Sequence, residues 1–321
     1  MLKYIDGNSP NFTKKLELLL EKRKVQKSSK SLIVKKIIND IKKNKDKALI
    51  KYEKKFSNNI LKNLNSIKFS EMEIKKIISK LDKETKKAVD LAYNRIYYFH
   101  KKQKKNHYKI YDRYKNSLSY TSSPINRVGV YVPGGTASYP STVLMNVIPA
   151  LIAGVKEIFM ATPQSQKKFN PAVLYAAQKC KVKEIYKIGG AQAIAAFAYG
   201  TKVVKKVDKI VGPGNQYVAI AKKEVFGDVG IDMIAGPSEV TVIADKTCNP
   251  EWVASDLIAQ AEHDNNAQSI LVSNNKKIIN KINYHVSKQL KYLPKKKIAL
   301  SSLKNFGLAI FVTKNNKIID I

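Results

Sequence analysis

The residues best suited to chemistry lie in residues 249–268, NPEWVASDLIAQAEHDNNAQ. Asn249 is a suitable helix N-cap and Pro250 suits the first helical position, so a helix is predicted to begin here. Apolar residues recur at helical spacing on one face, which should pack against a core. Gln260 and His263 lie three residues apart on another face, where side chains meet. They could bind one cation or one polar substrate, although a histidine near the C-terminal end of a helix is more often solvent-exposed.

A second set of candidate residues lies in glycine-rich turns, each of which follows a short apolar segment. These turns are residues 131–135 (YVPGG), 189–192 (GGAQ) and 212–217 (GPGNQY). Glycine lets a ligand approach the backbone, and each turn leads into a helix N-terminus, which suits a phosphate group. Neither G-x-G-x-x-G nor G-x-x-x-x-G-K-[ST] follows any predicted strand. The turns therefore leave open both a nucleotide bound without that fingerprint and tight turns that bind no ligand.

The elements around these turns alternate between strand and helix. Apolar strands are predicted at residues 128–132, 157–161, 184–188, 207–211, 231–234, 240–244, 269–272 and 308–312. This alternation predicts an α/β fold with two Rossmann-like, incompletely doubly wound lobes, whose ligands bind beyond the carboxyl ends of the strands. The domains are assigned as an N-terminal helical segment at 1–25, a first lobe at 26–128 and 237–321, and a second lobe at 129–236.

The formal charge of +34 raises the possibility of a basic nucleic-acid-binding protein. However, only Arg23, Arg95, Arg113 and Arg127 among the 59 basic residues are arginine, the side chain that binds phosphates and bases in a bidentate manner. The lysines are spread over all the polar helices rather than confined to one patch. We therefore expect no specific nucleic-acid partner.

The sequence offers no feature of a membrane or secreted protein. Its longest apolar run, residues 147–155, contains Pro149 and is too short to cross a bilayer. No secretory signal stands at the N-terminus, and two cysteines allow no disulfide framework. We expect a cytoplasmic protein without a membrane partner.

Together, the turns and the predicted helix resemble the histidinol dehydrogenase family. The matching motifs are VGVYVPGGTASYPSTVLMNVIPALIAGV, IGGAQAIAAFAYGT, VDKIVGPGNQYVAIAKKEVFG, IDMIAGPSEVTVIAD and DLIAQAEHDNNAQSILV, which occur in the family's order within about residues 126–272. The resemblance implies a zinc-dependent enzyme of histidine biosynthesis. Such an enzyme oxidises L-histidinol to L-histidine in two hydride transfers to NAD, through a bound aldehyde.

The resemblance also implies roles for individual residues. NAD contacts are expected at Tyr131, Gln192 and Asn215, a substrate contact at Ser238, and zinc ligands that also face the substrate at Gln260 and His263. Zn²⁺ accepts such nitrogen and oxygen ligands and polarises an alcohol or carbonyl without redox side reactions. The alternatives are a local turn role for Ser238 and a helix-capping role for Gln260.

The sequence departs from the family pattern after the last motif. The family continues with a Glu-His pair that acts as general base, and then with an Asp and a His that complete the zinc site, the last His coming from the partner subunit of a domain-swapped homodimer. This C-terminal dimerisation part would follow Ile321. The homodimer is therefore in doubt for these residues, and an inactive remnant or a non-catalytic binding protein of the same fold stays an alternative.

Because two protein ligands are fewer than the three of a usual catalytic zinc site, we expect the polypeptide of residues 1–321 alone to show no histidinol oxidation. Purified protein incubated with Zn²⁺, NAD and L-histidinol tests this by the absorbance of NADH. Turnover at an ordinary enzymatic rate would contradict the interpretation that these residues lack a complete zinc site and the general base.

Overall fold

The computed structural model describes residues 2–21, 28–56, 63–104, 107–134, 139–164, 169–234, 238–313 and 318. The strands are β1 (Lys3–Asp6), β2 (Tyr108–Tyr111), β3 (Ser117–Tyr120), β4 (Arg127–Tyr131), β5 (Glu157–Ala161), β6 (Glu184–Tyr186), β7 (Lys209–Val211), β8 (Gly230–Ile231), β9 (Glu239–Ala244), β10 (Gln268–Ser273) and β11 (Leu308–Phe311). The helices are α1 (Phe12–Glu21), α2 (Ser28–Phe56), α3 (Glu71–Ile78), α4 (Lys83–Lys101), α5 (Pro140–Ala153), α6 (Pro171–Lys179), α7 (Gly190–Tyr199), α8 (Gln216–Val225), α9 (Pro250–Ala261), α10 (Lys276–Leu290) and α11 (Lys296–Phe306). A short 3₁₀ helix spans Leu64–Ile67.

The chain folds into two compact units, which we call the terminal unit (Met1–Ser28 and Ala235–Ile321) and the central unit (Ser29–Ile234). The central unit contains a five-stranded parallel sheet in the order β6-β5-β4-β7-β8. Counted along the chain, this is the order 3-2-1-4-5 of a Rossmann-type sheet. The α/β prediction is confirmed.

The two faces of the central sheet are covered by different helices because strand side chains alternate between the faces. Val128 and Val130 of β4 pack in a core with α3, α4, α5 and α6. Tyr131 points the other way, into a core formed with α2, α7 and α8. Helices α5 and α8, which follow the neighbouring strands β4 and β7, therefore lie on opposite faces. This arrangement is the doubly wound sheet that the alternation of elements predicts.

The terminal unit contains a four-stranded parallel sheet in the order β1-β11-β10-β9. Leu271 of β10 packs with α9, α10 and α11 on one face. The next residue, Val272, packs with α1 on the opposite face. The terminal sheet is therefore also covered on both sides, by three helices on one face and by α1 on the other.

The observed division of the chain differs from the predicted lobes. Residues 26–128 were assigned to the lobe that contains Gln260, yet residues 29–128 fall in the central unit. The reason is the packing of α2, whose buried Val34, Ile41 and Leu49 belong to the same core as Tyr131. The apolar stripe of α2 predicts a buried face but does not identify the sheet that covers it.

Several elements carry no clear signal in the sequence. The N-terminal segment was predicted as helical, but it begins with strand β1, whose Lys3 pairs with Leu308. The antiparallel hairpin of β2 and β3 and the helix α11 were also missed. These elements are short or polar, and β1 is defined by a strand about 300 residues away in the chain.

Among the helices of the described ranges, none combines the length and apolarity needed to cross a lipid bilayer. The apolar helix α5 has 14 residues and contains Pro149, whereas a span needs about 20. The longer α2, with 29 residues, is rich in lysine.

Candidate functional site

A cavity of about 540 Å³ lies in the central unit beyond the carboxyl ends of β4 and β7. This is the point where α5 and α8 leave the sheet on opposite faces, the usual ligand position in such folds. Residues from all three glycine-rich turns line the cavity, namely Tyr131, Pro133, Gly134, Gly189, Gly190, Ala191, Gln192, Asn215 and Tyr217. Ile33, Ile37 and Phe56 of α2 add an apolar wall. The second glycine of the first turn, Gly135, lies outside the described residues.

Tyr131 ends β4 and fixes one side of the cavity. Its side chain is 3% exposed, and its hydroxyl accepts a hydrogen bond from the Gly190 N–H at 3.0 Å. Burial raises the pKa of Tyr131 to about 12, so the phenol is neutral over the physiological range. A neutral hydroxyl can accept a hydrogen bond from the Gly190 N–H and still donate a hydrogen bond to a ligand.

Gln192 lies in the first turn of α7 and is 2% exposed. Its Nε2 donates a hydrogen bond to Glu53 Oε1 at 2.8 Å. The Gly189 N–H donates to the same oxygen at 2.9 Å. Glu53 was missed by the sequence analysis, because it stands among lysines on α2 (KYEKKF) and looks like a surface residue. The structure buries it completely.

Asn215 is the N-cap of α8, and its Oδ1 accepts hydrogen bonds from the N–H groups of Tyr217 at 3.0 Å and Val218 at 3.2 Å. The preceding turn is held by the buried Lys222, whose Nζ donates to the Gly212 carbonyl at 3.0 Å and pairs with Asp232. Asp232 in turn accepts from the Gly212 N–H at 2.8 Å. The side-chain oxygen of Asn215 is thus engaged within the protein.

The N–H groups of Gly189 and Gly190, at the start of α7, already form hydrogen bonds within the protein. A helix N-terminus binds phosphate through free N–H groups, but those of Gly189 and Gly190 already donate to Glu53 and Tyr131. The carboxylate of Glu53 also lies at the N-terminal, positive end of α7, where it would repel a phosphate group. This agrees with the lack of a pyrophosphate fingerprint, and the volume lies within the range of small-molecule sites, about 300–1,000 Å³.

The remaining predicted residues lie in the terminal unit. Asn249 caps α9 by accepting from the Glu251 N–H at 2.9 Å, as predicted, and the apolar face of the helix is buried. However, α9 ends at Ala261, so His263 lies in the turn after the helix rather than on its face. Glu262, which lies between Ala261 and His263, is the C-cap of α9. The regular spacing from Gln260 therefore does not continue to His263.

Gln260 has a buried Nε2 atom without a hydrogen-bond partner. Such an atom costs about 1–3 kcal/mol, and a bound polar group would relieve this cost. His263 and Ser238 are exposed, and the Ser238 carbonyl accepts from the Gln268 N–H at 3.1 Å. These three residues leave polar groups available for a ligand.

A model of the histidinol dehydrogenase family matches residues 20–321. The chain belongs to the histidinol dehydrogenase family. It is 57% identical to histidinol dehydrogenase of Pelagibacter ubique over all of this chain and 74% of that protein. It is 46% identical to that of Rhodopseudomonas palustris over 97% of this chain and 72% of the relative. The crystal structure of histidinol dehydrogenase from Elizabethkingia anophelis superposes with a TM-score of 0.83 at 43% identity, over 90% of this chain and 66% of that chain.

The family resemblance implies a zinc site, which the described residues do not complete. Within the residues that the structure describes, no group of three or more His, Cys, Asp or Glu side chains could hold a metal ion. Gln260 and His263 have the donor atoms that Zn²⁺ accepts, but a catalytic zinc usually has three protein ligands. Gln260 and His263 alone therefore do not form a complete catalytic zinc site.

Proposed function

We propose that this chain provides the NAD-binding part, and one side of the substrate site, of an enzyme that oxidises L-histidinol to L-histidine. One observation carries the proposal. Tyr131, Gln192 and Asn215, which the family resemblance implies as NAD contacts, all line one cavity at the switch point of a doubly wound sheet. These side chains come from three different turns and lie at least 23 positions apart in the sequence.

NAD, when bound, would accept the hydride that leaves the substrate carbon. The protein's part is to hold the cofactor: Tyr131 offers a neutral hydroxyl, and the apolar Ile33, Ile37 and Phe56 limit water around the bases. A cofactor ring held in fixed orientation reacts faster because less motional freedom is lost in the transition state.

We further propose that Gln260 and His263 supply two ligands of a zinc ion and that Ser238 contacts the substrate. The buried Gln260 Nε2, a hydrogen-bond donor without a partner, supports an acceptor group of the substrate at this position. The zinc ligand would be the Gln260 Oε1 atom. In the family, the remaining zinc ligands and the Glu-His base follow these motifs in the chain, and a homodimer brings one histidine from the partner subunit. Gln260 and His263 would then orient the substrate rather than transfer its proton.

Titration of the protein with NAD by calorimetry tests the cofactor site. We expect saturable, weak binding, and Tyr131→Phe should weaken it about fivefold, because the Gly190 N–H loses its buried acceptor. The matched control is Tyr175→Phe, which also removes a phenol hydroxyl, here hydrogen-bonded to Asp90 at 2.7 Å and packed on the other face of the sheet. This control should bind NAD like the unmodified protein. Equal affinity in both variants, or no saturable binding at all, would refute the site.

A further inference from the structure

Glu53 joins α2 to the start of α7 through one carboxylate oxygen. This oxygen accepts hydrogen bonds from the Gly189 N–H at 2.9 Å and from Gln192 Nε2 at 2.8 Å. The side chain is completely buried, and it comes from a helix 136 residues earlier in the chain than Gly189. Burying a carboxylate costs folding free energy unless the group is well hydrogen-bonded. A carboxylate buried beside the cavity is therefore a candidate for a functional role.

The carboxylate decides which way the amide of Gln192 points. A glutamine amide has an acceptor end and a donor end, and its hydrogen-bond partners determine their orientation. Because Glu53 Oε1 accepts from both neighbours, only the NH₂ end of Gln192 can face it. The other end, Oε1, lies over the Gly189–Gly190 turn, 2.8 Å from the position that a Gly190 Cβ would occupy. Gln192 and this turn line the cavity.

We propose that Glu53 is a positioning residue that makes Gln192 present a hydrogen-bond acceptor to the cofactor. The cavity therefore selects a cofactor base with an N–H donor, either the carboxamide of nicotinamide or the exocyclic amine of adenine. A site built to accept from such a group discriminates against analogues without it, because the buried acceptor is then left unpaired. This inference rests on the proposed binding of NAD in the same cavity.

Two NAD analogues identify the donor. 3-Acetylpyridine adenine dinucleotide lacks the carboxamide NH₂, and nicotinamide hypoxanthine dinucleotide lacks the adenine NH₂. We expect the unmodified protein to bind NAD roughly tenfold more tightly than one of these analogues in calorimetric titrations. If it binds NAD but shows no preference over either analogue, the inference fails while the proposed function stands.

Variants at Glu53 then test its positioning role. Glu53→Met removes the acceptor at similar volume and should reduce the preference for NAD to less than twofold. Glu53→Gln keeps an oxygen in the place of Oε1 and should retain the preference. Gln192→Met removes the acceptor itself, so it should lose the same preference and show no further loss when combined with Glu53→Met.

The pattern across the ligands separates positioning from a structural role. If Glu53→Met weakens NAD and both analogues by the same factor, Glu53 only supports the fold and the inference is overturned. Loss of the preference in Glu53→Gln would overturn it as well. If Glu53→Met does not fold, Gln192→Met and Glu53→Gln still decide between these outcomes. An absence of saturable NAD binding in the unmodified protein would instead refute the proposed function.

Discussion

Replacing Gly212 by alanine is expected to destabilise the central unit by about 4 kcal/mol or more and to abolish NAD binding. Gly212 follows β7 with a φ of 111°, a conformation that L side chains rarely adopt. A Cβ atom there would lie 2.1 Å from the carbonyl oxygen of Tyr131, at the end of the neighbouring strand β4. The Tyr131 oxygen belongs to the backbone, and the position of Cβ is fixed by the backbone of residue 212. Neither atom can therefore move aside by rotation of a side chain, so the two strand ends must separate, and the cavity lies directly beyond them. Thermal or denaturant unfolding and NAD titration would measure both effects.

The control for this prediction is Gly227→Ala in the same unit. Gly227 has a φ of 107°, but a Cβ atom there would meet no atom within 4 Å. This variant therefore carries the backbone strain alone, which costs about 1–2 kcal/mol, and should leave NAD affinity unchanged. Equal losses in the two variants would show that the close approach of β4 and β7 does not limit the site.

Replacing Lys222 by methionine should cost about 2–3 kcal/mol of unfolding free energy and weaken NAD binding roughly tenfold. The Lys222 side chain is almost fully buried and holds the Gly212 carbonyl and Asp232 together. Methionine preserves the packing of the aliphatic stem but makes neither interaction. Asp232 keeps 29% of its side chain in solvent, so the cost stays below that of a fully buried, unpaired charge. Urea unfolding and NAD titration would measure the two losses.

Lys179→Met provides the comparison, since Lys179 pairs with Asp90 at 2.6 Å through partly exposed side chains. This pair lies on the face of the sheet covered by α4 and α6, away from the cavity. Its loss should cost less than about 1 kcal/mol and leave NAD affinity unchanged. If both lysine variants bind NAD like the unmodified protein, Lys222 has no part in shaping the site.

Local signals in the sequence predicted most of the central sheet and the family. The strand–helix alternation gave β4 to β7 to within two residues and predicted a helix after each of them. Asn249 was predicted correctly as the N-cap of α9, because capping depends on neighbours two or three residues away. The glycine-rich turns were expected beyond the carboxyl ends of the strands, which meet at one edge of a parallel sheet. The turns by themselves left open whether they bind a ligand. The family motifs needed only the order of residues in the chain.

Other features depend on contacts between distant segments. The stripe of α2 predicted burial, but only the folded chain shows that it covers the central sheet and lines the cavity. From the helical spacing we predicted that Gln260 and His263 lie on the same face of one helix. In the structure, α9 ends at Ala261, before His263.

Glu53 shows most directly how its position in the folded chain differs from the position that its sequence predicts. In the sequence it is one acidic residue in a lysine-rich helix, for which a solvated position is the ordinary interpretation. In the structure it meets the N–H of Gly189 and the amide of Gln192, more than 130 residues further along the chain. Patterns of hydrophobicity and capping predict the secondary structure of a segment and the face that it buries, because both depend on residues close in the sequence. The burial of a charge depends on which distant groups can satisfy it, and only the tertiary structure brings those groups together.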